Sequence, residues 1–167
     1  MKKILVLHDV ASVQRLNDIA KIAFGLNYLF VITKPSAAAA QIGIPELYKI
    51  AYKKDKPIIV LPDISDVIDL FNPSTIITIS YHYGEIFDPS KMNLREPLMI
   101  ITSGTDTGLT KKEAFIGKPV KPPVNGDLGP VASTAIILYM LEKYFARSIN
   151  IPQLSNNNSS EGTTTRR

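Results

Sequence analysis

The sequence predicts an α/β domain in which a mostly parallel sheet is covered by helices on both faces. Short apolar runs alternate with helical patterns along the chain, and this alternation is typical of parallel sheets. With 167 residues, 45% hydrophobic and 20% charged, the chain suits one globular domain. We expect that domain over residues 1–148, followed by a disordered tail rich in Asn, Ser and Thr over residues 149–167.

The first half of the chain predicts three strands and two helices. The run KILVLHD is typical of a buried strand. SVQRLNDIAKIAFG then predicts an amphipathic helix that begins after an N-cap at Ser12 and stops at Gly25. YLFVIT predicts a strand, SAAAAQIGI a loop or short helix, PELYKIAYKKD a helix opened by Pro45, and PIIVLP a strand.

The second half predicts further strands and a long closing helix. SDVIDLF predicts a short helix that ends at Asn72, before Pro73. TIITIS and LMIITS predict strands that are joined by the long polar connection YHYGEIFDPSKMNLREP. GKPVKPPV predicts an extended piece, followed by a helix from about Pro130 to Ala146. That helix is apolar on almost every face, which indicates either full burial or a dimer interface.

Composition excludes several classes of site. The chain has no cysteine, which excludes disulfides, thiolate metal sites and a cysteine nucleophile, and its two histidines argue against a histidine metal centre. The net charge of +4 permits binding to a polyanion without requiring it. The longest apolar run, at 135–141, is too short to span a bilayer, so we expect a cytoplasmic protein.

Ligands of parallel sheets bind beyond the carboxyl ends of the strands, where this chain reads HDV, TKP, PDI, SYHYG and SGTDTG. The glycines of SGTDTG would let backbone N–H groups approach a ligand, although such a loop is equally typical of a tight turn. Asp9 and Asp63 would hold Mg²⁺ in a nuclease or phosphoacceptor site, or act as solvated strand ends. His82 would be a base, stack on a ligand, or pack on the surface.

The segment SGTDTGLT, followed by VKPPVNGDLGPVASTAIILYML, resembles the SPOUT superfamily of knotted RNA methyltransferases, in particular the small single-domain archaeal group of its SpoU-like branch. IAFGLNYLFVIT and SAAAAQIGI are similar to other parts of the same pattern, so the resemblance covers about residues 1–146. It implies a C-terminal trefoil knot, S-adenosylmethionine as cofactor, rRNA or tRNA as substrate, and a homodimer through the first and last helices. It implies no metal.

The resemblance places the cofactor between three loops. The implied cofactor-binding residues are Ile79, Ser80, Tyr81, Ser103, Gly104, Thr105, Gly108, Val120, Pro122, Val124, Leu128 and Gly129. Those at 120, 122, 124 and 128 would form an apolar slot for the adenine ring. Methyl transfer from a sulfonium is an in-line displacement that depends mainly on positioning, so the scarcity of acid–base residues agrees with it.

The chain departs from the family pattern at its chemical positions. The family's Arg position falls on Ile19, and Asp127 and Gly129 stand where the family has Ser and Asn. Arg15, one turn before Ile19, is therefore the candidate catalytic residue, with Tyr81 and His82 as further candidates. Six lysines are candidates for phosphate contacts: Lys53, Lys54, Lys111, Lys112, Lys118 and Lys121. The departures leave open a non-catalytic knotted dimer that binds RNA or protein.

Overall fold

The computed structural model describes residues 1–149 and confirms the α/β class. In chain order the strands are β1 (Lys3–His8), β2 (Leu29–Thr33), β3 (Ile58–Leu61), β4 (Thr75–Ile79), β5 (Glu85–Ile86), β6 (Leu98–Ser103) and β7 (Lys118–Lys121). The helices are α1 (Val13–Gly25), α2 (Ile44–Lys53), α3 (Ile64–Phe71), α4 (Lys111–Ala114) and α5 (Gly129–Ile149). A π-helical turn at Ala39–Gly43 precedes α2, and a 3₁₀ turn spans Pro89–Lys91.

The seven strands form one sheet in the order β3-β2-β1-β6-β4-β7-β5. Every neighbouring pair is parallel, with β1 between β2 and β6 near the middle. Because parallel strands all end at one edge, the loops after β1, β4, β6 and β7 gather there. This edge positions the candidate site.

Two apolar cores cover the two faces of the sheet. Leu5 and Leu7 of β1 face the core that contains α1, α2 and α5. Ile4 and Val6 point to the opposite core, which contains α3 and α4. Side chains alternate between faces along a strand, so the continuous apolar run of β1 is fully buried on both sides. The predicted helices on both faces are confirmed.

Helix α1 follows its predicted pattern. Ser12 is the N-cap, as predicted, and its side chain accepts a hydrogen bond from the backbone N–H of Arg15 at 3.2 Å. The apolar side of this amphipathic helix is half-buried at Val13 and buried at Leu16, Ile19, Ala20, Ala23 and Phe24. Gly25 is the last helical residue rather than the residue beyond the end, because the N–H of Leu26 still bonds to the helix.

Several segments are more ordered than their sequence indicates. GKPVKPPV, predicted as an extended piece, contains β7, which pairs with β4 and β5. The polar connection after β4 contains β5 and the 3₁₀ turn, and α4 was not predicted from the sequence. These elements are four residues long or less. Pairing in the sheet stabilises β5 and β7, whereas Thr110 and Glu113 form a capping box at the start of α4.

Helix α5 begins at Gly129, one residue before the predicted start, and extends to Ile149. It buries a single stripe of residues: Ser133, Thr134, Ile137, Leu138 and Leu141. Tyr139 is 57% exposed on the other side. Among residues 1–149, no helix combines the length and apolarity that a bilayer span requires. The predicted tail from residue 150 onward lies outside the described residues, and the knot and the dimer remain predictions.

Candidate functional site

A cleft opens at the carboxyl edge of the sheet, between the ends of β4 and β6 and the start of α5. Its cavity volume is about 40 Å³, and it is open to solvent. The lining residues are Ile79, Ser80, Tyr81, His82, Thr102, Ser103, Thr105, Asp106, Thr107, Gly108, Asp127, Gly129, Pro130 and Ser133. The loops SYHYG and SGTDTG, both singled out in the sequence, therefore meet at one cleft.

The cleft brings together part of the predicted cofactor set. Ile79, Ser80, Tyr81, Ser103, Thr105, Gly108 and Gly129 line it. Gly104, Val120, Pro122, Val124 and Leu128 are not among the lining residues. Of the predicted apolar slot, Val120 is buried in the sheet at 2% exposure and Leu128 is 43% exposed. The slot remains a prediction.

Gly104 is held by the protein itself. Its N–H donates to the carbonyl of His8 at 2.7 Å, and its carbonyl accepts from the Arg15 guanidinium at 3.1 Å. A Cβ here would lie 2.5 Å from the carbonyl oxygen of Asp9 and 2.6 Å from the Cα of Val10. Glycine is therefore required for close packing of this loop against the end of β1. The close packing agrees with the tight-turn alternative for this glycine, and its role in cofactor binding remains a prediction.

Arg15 reaches the SGTDTG loop from α1. Besides the Gly104 carbonyl, its guanidinium contacts the Asp106 carboxylate, with Nη2 and Oδ1 separated by 2.8 Å. Arg15 is 22% exposed and Asp106 86%. The pair fixes the loop to the helix, and Asp106 lines the cleft although Arg15 does not. The catalytic role of Arg15 remains a prediction.

Hydroxyl groups follow the floor of the cleft. Ser103 Oγ lies 3.0 Å from Thr105 Oγ1, which lies 3.1 Å from Thr107 Oγ1. Thr134 of α5 donates to Thr102 of β6 at 2.7 Å and ties the helix to the sheet below the cleft. The wall therefore presents donors and acceptors that can each turn toward a ligand or back to the protein.

Two lining residues on the α5 side, Asp127 and Ser133, were not among the predicted cofactor-binding residues. Asp127 accepts a hydrogen bond from the N–H of Gly129 at 2.9 Å, and Ser133 lies one turn further along α5 at 8% exposure. An Asp shortly before an apolar helix is a recognisable capping signal, so Asp127 could have been identified. Ser133 could not, since only its place on the helix aims it at the cleft.

His8 is buried, at 2% exposure, beneath the loop. Its Nδ1 lies 2.8 Å from Thr33 Oγ1 of β2, and its Nε2 lies 3.1 Å from Glu113 Oε1 of α4. The other Glu113 oxygen accepts from the Thr110 N–H at 2.8 Å. Burial opposes ionisation of Glu113, but the Thr110 hydrogen bonds and His8 outweigh it and hold the pKa of this carboxyl below its usual range. The contact attaches α4 to the centre of the sheet.

Asp9 and Asp63, the two acidic residues considered as Mg²⁺ ligands, lie at different positions in the fold. Asp63 caps α3, accepting from the N–H of Ile64 at 2.7 Å, while Asp66 accepts from the N–H of Asp63 at 2.9 Å. Asp9 follows β1, and β2 lies between β1 and β3 in the sheet. Within the described chain, no group of three or more His, Cys, Asp and Glu residues is arranged to hold a metal ion. Asp63 thus acts as a helix cap.

Solved structures of methyltransferases share this fold. One is described as giving structural insights into the 2-OH methylation of C/U34 on tRNA; it matches with a TM-score of 0.70 and 15% identity, over 86% of this chain and 91% of that one. Another is the SpoU methyltransferase AviRb from Streptomyces viridochromogenes in complex with AdoMet, with a TM-score of 0.67 and 12% identity, over 85% of this chain and 57% of that one. The SPOUT resemblance is thus confirmed at the level of the fold.

Sequence comparison leads to a different description. The chain is 34% identical over 140 residues to a candidate type II restriction enzyme of Aeropyrum pernix, covering 81% of this chain and 90% of that protein. It is 29% identical over 147 residues to a similarly described protein of Methanocaldococcus jannaschii, covering 85% and 97%. Residues 37–140 match the profile of a family described as RecB-family nuclease (DUF2122). With more than half of its length matched, the chain belongs to that family, DUF2122.

Proposed function

We propose that the chain is an S-adenosylmethionine-dependent methyltransferase of the SPOUT type that acts on RNA. The observation that carries the proposal is the cleft between the ends of β4 and β6 and the start of α5, in a fold shared with a methyltransferase solved with AdoMet. The proposal names no target RNA and no methylated atom. It includes the trefoil knot, and a homodimer through α1 and α5.

The lining residues fit this cofactor chemically. S-adenosylmethionine carries a sulfonium and an ammonium against one carboxylate and is therefore a net cation. Asp127 lines the cleft and suits a cation, while Ile79 and Pro130 offer apolar surface for a ring. The hydroxyl groups of the floor, including Ser103, can bond to ribose or amine groups.

When bound, the cofactor would supply an electrophilic methyl group: the acceptor atom would bond to the methyl carbon and lose its proton, and the broken S–CH₃ bond would leave the thioether S-adenosylhomocysteine. The residues of this chain supply position. Arg15 holds Gly104 and Asp106 in place, so the loop is fixed before a ligand arrives. His82 lines the cleft and is exposed, which makes it the candidate to receive the acceptor's proton.

The experiment that tests the proposal is calorimetric titration with S-adenosylmethionine of the full-length protein and of two leucine variants on α5. Ser133→Leu places a larger side chain on the cleft wall. Ala132→Leu makes a similar change at the neighbouring exposed position, which does not line the cleft. We expect saturable binding near one cofactor per chain, lost in Ser133→Leu and kept in Ala132→Leu. A folded protein that binds no cofactor would favour the non-catalytic alternative.

A second candidate function is nuclease activity, which the family description and both relatives favour. Cleavage with Mg²⁺ requires carboxylates that converge on the metal. Asp63 is instead engaged at the start of α3, and a strand separates β1 from β3. Incubation of the protein with DNA and RNA in Mg²⁺ decides the matter: cleavage that is lost in Asp9→Asn would replace the methyltransferase proposal.

A further inference from the structure

Aromatic side chains form a continuous row that starts at the cleft and leads away from it. Tyr81 and His82 line the cleft, with ring centroids 5.5 Å apart. His82 lies 6.4 Å from Tyr83, and Tyr83 lies 6.1 Å from Phe115. The row thus joins the loop after β4 to the end of α4. We name these four residues the aromatic row.

The row is exposed although its rings touch. Tyr81 and Tyr83 are each 39% exposed, and Phe115 is 58% exposed. Apolar rings of a domain core would be covered, and contiguous exposed apolar surface typically marks a site of interaction. Faces and edges of these rings are therefore available to a planar ligand.

The backbone under the row is firmly held. A Cβ on Gly84 would lie 2.3 Å from the Ser80 carbonyl oxygen, so the turn that carries the tyrosines is packed against its own start and against β7. Ser80 Oγ accepts from the Tyr83 N–H at 3.3 Å. At the other end, Phe115 follows α4, which Glu113 attaches to His8. Because the backbone that carries the rings is already ordered, binding of a ligand to the row would cost little conformational entropy.

Positive charge borders the row. The Lys121 Nζ lies 5.3 Å from the centroid of Tyr81, which is within range of a cation–π contact. Lys118, three residues earlier in β7, is paired with Glu85 at 2.7 Å. Aromatic faces beside a cation are the combination with which proteins bind single-stranded nucleic acid, where bases stack and phosphates meet the charge.

We propose that the aromatic row binds an unpaired nucleobase of single-stranded nucleic acid, beside the cleft in which methyl transfer is proposed. The inference deepens the proposed function and rests on its claim that nucleic acid reaches this cleft. It does not depend on cofactor binding. Tyr83 and Phe115, which do not line the cleft, would supply the stacking surface, and Lys121 would contact a neighbouring phosphate.

The test measures fluorescence anisotropy of labelled twelve-nucleotide RNA of mixed sequence, as a single strand and annealed to its complement, with the full-length protein. DNA of the same sequence is the parallel arm. The variants are Tyr83→Ala, Phe115→Ala and the conservative Phe115→Tyr. Tyr52→Ala is the control, since Tyr52 is 89% exposed on α2, away from the row. Calorimetry with S-adenosylmethionine is run on each variant.

We expect the single strand to bind more tightly than the duplex. Each alanine variant should weaken single-strand binding about tenfold, the size of effect expected when one stacked base is lost. The Phe115→Tyr and Tyr52→Ala variants should each bind the single strand as tightly as the wild-type protein does. Cofactor affinity should stay the same in all variants, because the altered residues lie outside the cleft lining. Tighter binding of RNA than of DNA would identify RNA as the source of the base.

Equal affinity for single strand and duplex would overturn the inference, because a paired base cannot stack on the row. Wild-type affinity in both alanine variants would overturn it too, as would equal weakening in Tyr52→Ala. If the protein binds S-adenosylmethionine but fails these tests, the proposed function stands and binding of a base by the aromatic row is rejected. If the protein passes these tests but does not bind the cofactor, binding of a base by the aromatic row stands and methyltransferase activity is rejected.

Discussion

Arg15 and Asp106, ninety-one positions apart in the chain, meet with 2.8 Å between Nη2 and Oδ1. The contact joins helix α1 to the loop after β6 that lines the cleft. Because the same guanidinium also bonds to the carbonyl of Gly104, the loop is held at two successive points. The position of one cleft wall therefore depends on a side chain that lies outside the cleft.

Replacement of Arg15 by Gln should loosen that wall. We expect S-adenosylmethionine affinity to fall several-fold, since the loop must be ordered on binding. Global stability should change by less than about 1 kcal/mol, because the partner carboxylate is solvated and such ion pairs contribute little. Calorimetric titration and urea denaturation of the variant measure the two effects separately.

Asp106→Asn and the double variant distinguish positioning from catalysis. If Arg15 acts by holding the loop, the losses in cofactor affinity should not add in the double variant. Additive losses would show that the two residues act independently. An Arg15→Gln protein that binds the cofactor normally and fails only in methyl transfer would instead establish the catalytic role predicted from the sequence.

Gly104→Ala should destabilise the fold. The new Cβ would meet the backbone of Asp9 and Val10 at 2.5–2.6 Å, and backbone cannot turn away as a flexible side chain can. We expect a loss of about 1–3 kcal/mol in the free energy of unfolding, typical of overpacking. Gly126→Ala is the matched control, since a Cβ there meets nothing within 4 Å. Equal unfolding free energies of the two variants would contradict the close packing of Gly104.

The sequence predicts the large elements of this fold well, because each carries its own pattern. The apolar stripe of α1 and the N-cap at Ser12 identify that helix without any partner. The segment of β7 gives no such signal, since two of its four residues are lysines and one is proline. Its strand character comes from pairing with β4 and β5. Local pattern is informative only where local forces decide the structure.

The candidate site was predictable in outline and not in detail. Parallel strands direct their ends to one edge, so SYHYG and SGTDTG were expected to meet, and they do. The close packing of Gly104 was not predictable, because its neighbours Asp9 and Val10 are distant in sequence. Contact between Arg15 and Asp106 is equally invisible before folding. Such contacts arise from the packing of α1 on the sheet.

The hydrogen bonds that Glu113 makes with Thr110, together with its contact with His8, should make stability depend on pH. The pKa of Glu113 in the folded protein lies below its ordinary value of 4.5. Its carboxylate therefore stabilises the fold fully above that value, and this contribution is lost as the pH falls through the lower folded pKa. Glu113→Gln keeps an acceptor for the Thr110 N–H and lacks the charge.

Urea denaturation at several pH values measures this contribution. We expect Glu113→Gln to be less stable than the wild-type protein at pH 7, with the difference shrinking below pH 4.5 as the wild-type carboxyl becomes protonated. A difference that stays constant down to pH 3 would show that the charge of Glu113 contributes nothing. A larger difference in stability at acid pH would contradict the lowered pKa of Glu113.

If RNA lies over the cleft, its affinity should fall steeply with salt, and the lysines at this edge should set the slope. Lys111 and Lys112 are exposed at the start of α4, directly after the SGTDTG loop, whereas Lys53 and Lys54 lie at the end of α2. Each lost phosphate contact lowers the slope of log affinity against log salt by about 0.7 for a single strand. We expect the dependence of RNA affinity on salt to become shallower in the Lys111→Gln/Lys112→Gln protein. In the Lys53→Gln/Lys54→Gln protein it should stay as in the wild-type protein. The opposite result would indicate that RNA lies along α2. An RNA affinity of the wild-type protein that does not change with salt would exclude RNA as the partner.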